Sequence, residues 1–335
     1  MTRTSCIPAG PALVTGATGF IGRRLVRRLR DEGAEVRALV LPTETLPSDW
    51  DADVRVLRGD ISSQASVAEA VSGCPTIFHL AAVVGDWGPE KLFRRITVDG
   101  TRYVLGAAGP AGGRVVLASS IVVYGDRLGR VRCDENTELG RPYGPYSRAK
   151  QAQERLAVSS VASGHCDVRI VRPANVYGPG SRPWVDETTR LLKAGRPVLI
   201  GGGRQNAGLA YVDNVVDILV RAAGDAAAPG DIFNACDELP VTWARYLGDL
   251  ASLVKAPAPR SVPGGLAWPL ALAMEFAGKA LRLGSRPPLT REAVHLVSAD
   301  HDVPSARARA QLGHRTLVNY EDGLEAVAAY LAARR

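Results

Sequence analysis

Leu13-Val14-Thr15-Gly16-Ala17-Thr18-Gly19-Phe20-Ile21-Gly22 runs directly into Arg23-Arg24-Leu25-Val26-Arg27-Arg28-Leu29-Arg30. An apolar, β-branched run enters a turn with glycine at every third position, and helical spacing begins where the turn ends. The pattern predicts strand, tight turn and amphipathic helix, with Ile21, Leu25, Val26 and Leu29 facing inward. Gly16, Gly19 and Gly22 let the backbone approach a pyrophosphate closely, and the helix N-terminus then stabilises its charge. Thr18, Phe20 and Ile21 share that turn and are candidate contacts. The spacing is G-x-x-G-x-x-G rather than the usual G-x-G-x-x-G, and a plain structural turn is the competing reading. The five arginines between 23 and 30 read as a solvated helix face, not a nucleic-acid patch.

Beyond this unit, apolar runs at 12–15, 36–41, 54–57, 76–80, 114–118 and 168–171 alternate with helix-like periods. That alternation predicts an α/β chain, a doubly wound parallel sheet with helices on both faces. After Gly180, proline and glycine break the chain into shorter segments. The expected division is a dinucleotide-binding domain, 1–178 plus 205–235, and a smaller, discontinuous C-terminal substrate lobe, 179–204 plus 236–335. Ligand then belongs between them, at the carboxyl ends of the strands.

Tyr146-Ser147-Arg148-Ala149-Lys150 sets a phenol and an ammonium one turn apart on the same side of a helix. A free phenol titrates near about 10, and a fixed cation beside it can bring Tyr146 toward neutrality as an acid/base. Basic residues number 41, yet only five are lysines, so Lys150 points to a need for a compact charge. Upstream, Ser119-Ser120-Ile121-Val122-Val123-Tyr124-Gly125 closes a predicted strand with the Ser120 hydroxyl. Capping of that strand end is the alternative role for Ser120. Alone the Tyr-x-x-x-Lys spacing is weak; its company gives it weight.

Together these motifs resemble the extended short-chain dehydrogenase/reductase family, which includes nucleotide-sugar epimerases and 3β-hydroxysteroid dehydrogenases. The resemblance runs nearly end to end and implies a Rossmann-type fold with bound NAD(P). Gly16, Gly19 and Gly22 fall on the family's cofactor glycines. Gly59-Asp60-Ile61 resembles the segment at the adenine, and Phe78-His79-Leu80-Ala81-Ala82 the strand end along the cofactor. Ser120, Tyr146 and Lys150 fall on the catalytic triad. Arg172-Pro173-Ala174-Asn175-Val176-Tyr177 resembles the stretch beside the nicotinamide. The resemblance implies that Tyr146 exchanges a proton with the oxygen of a secondary alcohol or ketone while Ser120 hydrogen-bonds it. Lys150 is then expected to lower the Tyr146 pKa and to hold the ribose hydroxyls. A homodimer, paired through helices that include the one with Tyr146, is implied in the same way. Thr97 departs from the family, which usually has Asn there.

Two branches compete for the substrate. Nucleotide-sugar enzymes usually carry an Arg just before the Tyr211-Val212-Asp213 segment, but here Ala207-Gly208-Leu209 stands there. Their later Arg-Pro-Gly-Asp run is replaced by Arg286-Pro287-Pro288-Leu289. A diphosphate needs charge to offset its desolvation, so the chain resembles more the branch acting on apolar, steroid-like or lipid-like substrates. An epimerase, dehydratase or reductase of nucleotide sugars is the alternative. A cofactor-sensing regulator is a third reading, disfavoured by the retained Tyr/Lys pair. The second strand ends at Val40-Leu41 without the acid that grips the 2′-hydroxyl of NAD. Arg37 and Arg23 are poorly placed for a 2′-phosphate, and the balance leans to NAD.

Composition sets the remaining limits. With 335 residues, 46% hydrophobic and 22% charged, the composition is ordinary for a soluble globular enzyme, and the length suggests one or two domains. Cysteines 6, 74, 133, 166 and 236 are scattered, which disfavours disulfides and a zinc site and fits a reducing compartment. His79 reads as a structural histidine rather than a metal ligand. Residues 1–10 lack a signal pattern, so a cytoplasmic protein is expected. The net charge of +7 is not gathered in a tail, and no nucleic-acid partner is expected. The lipophilic stretch 264–283 contains Pro269, Glu275, Lys279 and Arg282, and a helix packed on its own lobe is favoured over a membrane span. Lining an apolar mouth or dipping into a bilayer surface is the lesser reading. Trp87, Trp184 and Trp268 are candidates for pocket walls or for ordinary packing.

Overall fold

The computed structural model describes residues 10–50, 53–281 and 284–334. The expected absence of a signal, Cys6 and the end of the lipophilic stretch, Arg282 and Leu283, thus lie outside the described residues. The chain begins with β1 (Ala12–Thr15), α1 (Phe20–Asp31), β2 (Val36–Val40), β3 (Val54–Arg58), α2 (Gln64–Val71) and β4 (Thr76–His79). It continues through α3 (Glu90–Phe93), α4 (Gly100–Ala108), β5 (Arg114–Ala118), α5 (Pro145–Ala162), β6 (Asp167–Pro173) and β7 (Asn175–Tyr177). Next come α6 (Glu187–Lys193), β8 (Pro197–Ile200), β9 (Leu209–Tyr211), α7 (Val212–Ala222) and β10 (Ile232–Ala235). The last elements are α8 (Trp243–Leu253), β11 (Arg260–Val262), α9 (Gly264–Ala280), α10 (Arg291–Ser298), α11 (Ala306–Leu312) and α12 (Tyr320–Ala332).

Seven strands form one parallel sheet in the order β10-β6-β5-β4-β1-β2-β3. From β1 the chain steps outward through β2 and β3, then returns to β4 on the other side of β1. The loops leaving β1 and β4 therefore part in opposite directions and open a crevice at their carboxyl ends. The register Thr15↔His79 sets the glycine turn beside residues 80–82. Strand β6 runs further than the apolar pattern suggests because β10 pairs with it as far as Ala235↔Pro173. Two small parallel pairs, β7 with β9 and β8 with β11, lie outside the large sheet.

Helix α1 shows how the periodicity becomes packing. Leu25, Val26 and Leu29 are fully buried, and each such burial is worth about 1.5–3 kcal/mol. Ile21 is only partly buried, at the start of the helix. The arginine face is ion-paired with the protein itself: Arg24 with Asp213, Arg27 with Asp49, Arg28 with Glu32 and Asp217, Arg30 with Asp53. Cys74, Cys133, Cys166 and Cys236 are buried free thiols. Among the described residues no helix is long and apolar enough to cross a membrane.

Candidate active site

The glycine turn is a cradle that side chains would fill. Gly16 adopts φ +68°, and a Cβ there would lie 2.8 Å from the Ala81 backbone nitrogen. A Cβ on Gly22 would lie 2.1 Å from the Gly16 carbonyl oxygen. Gly19 caps α1 without a side chain, and the first turn of that helix has no acidic residue. An N-terminus left open to an external anion, under backbone that only glycine allows, fits a dinucleotide pyrophosphate. Around it the loops are pinned: Thr15 Oγ1 accepts from Ala81 N at 3.2 Å and Thr97 Oγ1 from Val83 N at 3.1 Å. Thr97 thereby holds the strand-end loop. Asp60 Oδ1 accepts from Ser62 N at 2.8 Å, and Ile61 is buried beside it.

Ser120, Tyr146 and Lys150 converge at the carboxyl end of β5. Ser120 caps the 3-10 turn Ile121–Arg127, its Oγ accepting from Val122 N at 3.3 Å. Its side chain also hydrogen-bonds the Tyr146 phenol, so one hydroxyl both caps the turn and touches the phenol. Tyr146 is half-buried in the first turn of α5. Burial pushes its phenol up to about 12, opposed by the Ser120 hydrogen bond and reinforced by the charge of Glu292. Lys150 does bring its ammonium to the same helix face, but Nζ donates to Ala118 O at 2.7 Å and Gln153 Oε1 at 2.9 Å. Burial pulls this ammonium down to about 7, with Glu154 pulling the other way. Desolvation, not the lysine charge, therefore dominates the phenol here.

Beneath the triad lies a buried polar chain that local motifs do not reveal. Gln153 Nε2 donates to Thr101 Oγ1 at 2.7 Å, and Thr101 Oγ1 donates to Thr97 O at 2.6 Å. With its proton so committed, Thr101 must accept from His79 Nε2 at 2.8 Å. His79 Nδ1 is then the acceptor for the Thr15 hydroxyl, also at 2.8 Å. Burial keeps His79 neutral, lowering its pKa to about 3. It is a wired structural histidine, joined to Lys150 through Thr101 and Gln153.

Glu292, on α10, completes the neighbourhood. Its Oε1 accepts from Ser147 N at 2.8 Å, next to Tyr146 in the chain. A Cβ on Gly144 would lie 1.7 Å from Glu292 Oε2. A small cavity beside it is walled by Val122, Leu128, Tyr143, His295 and Leu296. Trp268 meets Tyr143 edge-on at 5.0 Å, whereas Trp184 stacks on Trp243 in the core. Trp87 packs against Gly278.

The sequence profile of the NAD dependent epimerase/dehydratase family matches residues 12–236. The chain belongs to that family. It is an NAD(P)-dependent enzyme of the extended short-chain dehydrogenase/reductase type. A farnesyl-dihydroquinoline-oxide ketoreductase from Stigmatella aurantiaca is 28% identical over 94% of this chain and 94% of the relative. A 2-alkyl-3-oxoalkanoate reductase from Stenotrophomonas maltophilia is 28% identical over 96% of this chain and 99% of the relative. Among solved structures, MoeE5 in complex with UDP-glucuronic acid and NAD is 30% identical with a TM-score of 0.75, covering 97% of this chain and all of that one.

Within this epimerase/dehydratase frame several expected positions take other duties. Ala207 is fully buried, and a Cβ on Gly208 would meet the His301 ring at 2.8 Å, so no long cation fits there. Asn175 is buried, its amide donating to Ala207 O at 2.7 Å. Pro173 and Val176 lie next to it at the end of β6 and in β7, both buried. Arg286 is gripped by Asp86 through Nε–Oδ1 and Nη2–Oδ2 bonds of 2.5 Å each. Arg37 is buried at the opposite end of its strand, bonding Ala70 O and Ser72 O, which removes it from any 2′-phosphate. Arg58, which sequence reasoning passed over, stands instead at the carboxyl end of β3 opposite Val40.

Proposed function

We propose that this enzyme interconverts a ketone and a secondary alcohol on an uncharged, apolar substrate, with Ser120, Tyr146 and Lys150 as the working residues. The cofactor when bound supplies or takes the hydride. Tyr146, proton-loaded through the neutral range, gives its proton to the carbonyl oxygen in the reductive direction. Ser120 hydrogen-bonds the same oxygen and sets its angle. Lys150 holds the ribose hydroxyls, in reach because the buried chain behind it fixes its position. Gly16, Thr18, Gly19, Phe20, Ile21, Gly22, Asp60, Ile61, Leu80, Ala81, Ala82, Pro173, Asn175 and Val176 form the cofactor bed.

One observation carries the choice of substrate: the positions that would meet a diphosphate offer little positive charge. Ala207 and Gly208 are packed shut, and the Arg286 guanidinium is bidentate on Asp86. The loop after β4 instead presents Val84, 73% exposed, with Trp268 and Tyr143 near the cleft. The ketoreductase relatives support the same reading. The nucleotide-sugar alternative draws on the likeness to MoeE5. Competition for bound NADPH or NADH fluorescence by a 2-alkyl-3-oxo ester, against UDP-glucose, tests the two. Displacement or quenching by UDP-glucose alone overturns the apolar reading.

The proposal includes the division into 1–178 plus 205–235 for the cofactor and 179–204 plus 236–335 for the substrate, which α9 and α10 border. It also includes a cytoplasmic, reducing location, supported by the buried thiols, and a homodimer through α4 and α5. Val158, 49% exposed on α5, supports such pairing. For the cofactor, NAD is the reading from β2, and Arg58 is the residue that argues for acceptance of NADP.

A further inference from the structure

Helix α9 has apolar residues on both faces, and one of those faces is covered. Ala267, Ala271 and Gly278 pack inward beside Glu275, whose carboxylate accepts from Arg291 N at 2.7 Å and Nε at 2.9 Å. Trp268 and Gly278 meet Tyr143 and Trp87, so the inner side borders the mouth of the cleft. The outer face is different. Leu266 is 62% exposed, Leu270 40%, Leu272 48% and Phe276 74%, and Leu281 continues the face at 69%. Pro269, Ala273, Ala277 and Ala280 lie between them. At 3.6 residues per turn these positions sweep about half the circumference, and none carries a charge. Soluble proteins rarely leave so continuous an apolar patch open without a use for it.

The elements that adjoin this face are basic. Strand β11 leads into α9 and carries Arg260, whose guanidinium reaches Gly195 O at 3.5 Å beside the exposed Arg196. Gly201, where a Cβ would lie 3.9 Å from Gly264 Cα, leads to the exposed Arg204. Lys279 marks the other end, its ammonium 5.9 Å from the Trp87 ring centroid. The acids on the inner side already have cations: Glu275 pairs with Arg291, and Asp86, next to the Trp87 that packs on Gly278, pairs with Arg286. An apolar face framed by arginine and lysine matches an anionic lipid surface, with side chains in the acyl boundary and cations at the phosphates. A second copy docked by two-fold symmetry would bring the same cations against each other.

We propose that α9 is an interfacial anchor that rests this protein on an anionic bilayer, with Leu266, Leu270, Leu272 and Phe276 immersed at the headgroup boundary. The helix does not span the bilayer: it has 17 residues with Pro269 inside. Its inner face walls the cleft mouth, so an apolar molecule dissolved in the lipid meets the opening without crossing water. The anchor stands apart from the catalytic reading, because its test measures binding and not turnover.

The full chain is mixed with vesicles of phosphatidylcholine alone, or of phosphatidylcholine with phosphatidylglycerol, and sedimented at low and high salt. Its partner is the double variant Leu272→Glu/Phe276→Glu, whose changes lie on exposed positions and whose fold is checked by circular dichroism and cofactor binding. The protein is expected to sediment with the anionic vesicles, less with the neutral ones, and less again at high salt. The variant is expected to lose at least ~10-fold in partitioning, given the apolar area withdrawn. No sedimentation with anionic vesicles at low salt overturns the anchor, as does equal partitioning of variant and parent. So does a parental oligomer, by light scattering, that the double variant dissociates, which assigns the face to a second copy.

Discussion

Glu292 Oε1 accepts the backbone N–H of Ser147 at 2.8 Å, so a carboxylate from α10 caps the helix that carries Tyr146. Glu292 Oε2 has no hydrogen-bond partner among the described residues. Burial, opposed by the contact with Ser147, raises the carboxyl from 4.5 to about 7. The unfolded chain releases this proton near 4.5 and the folded one near 7, so the fold binds more protons in between and loses stability as pH rises through that window. Glu292→Gln keeps an acceptor for Ser147 and never ionises. Its melting temperature relative to the parent should therefore climb between pH about 5 and about 8. A difference that stays flat across that range shows that Glu292 does not titrate in the window. Gly144→Ala drives a Cβ into Oε2 and should cost about 1–3 kcal/mol in denaturant melts.

Tyr146→Phe removes the proposed acid but little volume. Turnover should fall by about 10²–10⁴-fold, the usual contribution of a positioned general acid. Cofactor affinity, read by fluorescence titration, should stay close to the parent. Loss of both together would instead indicate a collapsed cleft.

Lys150 is held near 7 by burial. In the proposed function a dinucleotide would bring negative charge and ribose acceptors to the ammonium, which would favour its charged form. Binding above that pH should therefore take up a proton, and affinity should fall as pH rises from 7 toward the higher pKa of the complex. Calorimetry at one alkaline pH in buffers of different ionisation enthalpy reads the uptake directly. Buffer-independent heats there would place Lys150 outside the cofactor's reach, and Lys150→Met should abolish any uptake seen.

Arg172 and Glu154 form a bidentate pair, Nε–Oε1 at 3.0 Å and Nη2–Oε2 at 2.7 Å, with both side chains almost fully buried. The pair pins α5, and thus Tyr146, to β6. Removing one partner strands the other charge, so Arg172→Met or Glu154→Gln should each cost about 3–5 kcal/mol. The double change Arg172→Met/Glu154→Leu should cost less than the sum. Additive losses would show that the two do not act as a pair.

Much of the fold is legible because its signals are local. The glycine turn and the Tyr146/Lys150 spacing are short local patterns, and the alternation of apolar runs announces a parallel sheet without giving the order of its strands. What escaped reading is tertiary. Glu292 meets Ser147 across 145 residues and Arg286 meets Asp86 across 200, and no periodicity encodes such partners. Arg172 was visible as a motif landmark, but not as the buried mate of Glu154. The expected lowering of Tyr146 by Lys150 rested on helical spacing, which places two side chains on one face without saying where each head group bonds.

Arg58 offers the sharpest test of cofactor choice. Its Nη1 donates to Leu41 O at 3.1 Å, Pro42 O at 3.4 Å and Glu44 O at 2.6 Å, which lashes it across the end of β2. In this sheet topology a bound dinucleotide would set its adenosine ribose beyond that strand end, where neither Val40 nor Leu41 supplies a carboxylate for a 2′-hydroxyl. A guanidinium held there can meet a 2′-phosphate, a geometry to which arginine is suited. Arg58→Ala should weaken NADPH by about 1.5–3 kcal/mol, the worth of a charge-assisted hydrogen bond, and leave NADH nearly unchanged. Equal loss of both would make Arg58 a loop clamp alone, and no loss of either would remove it from the cofactor site.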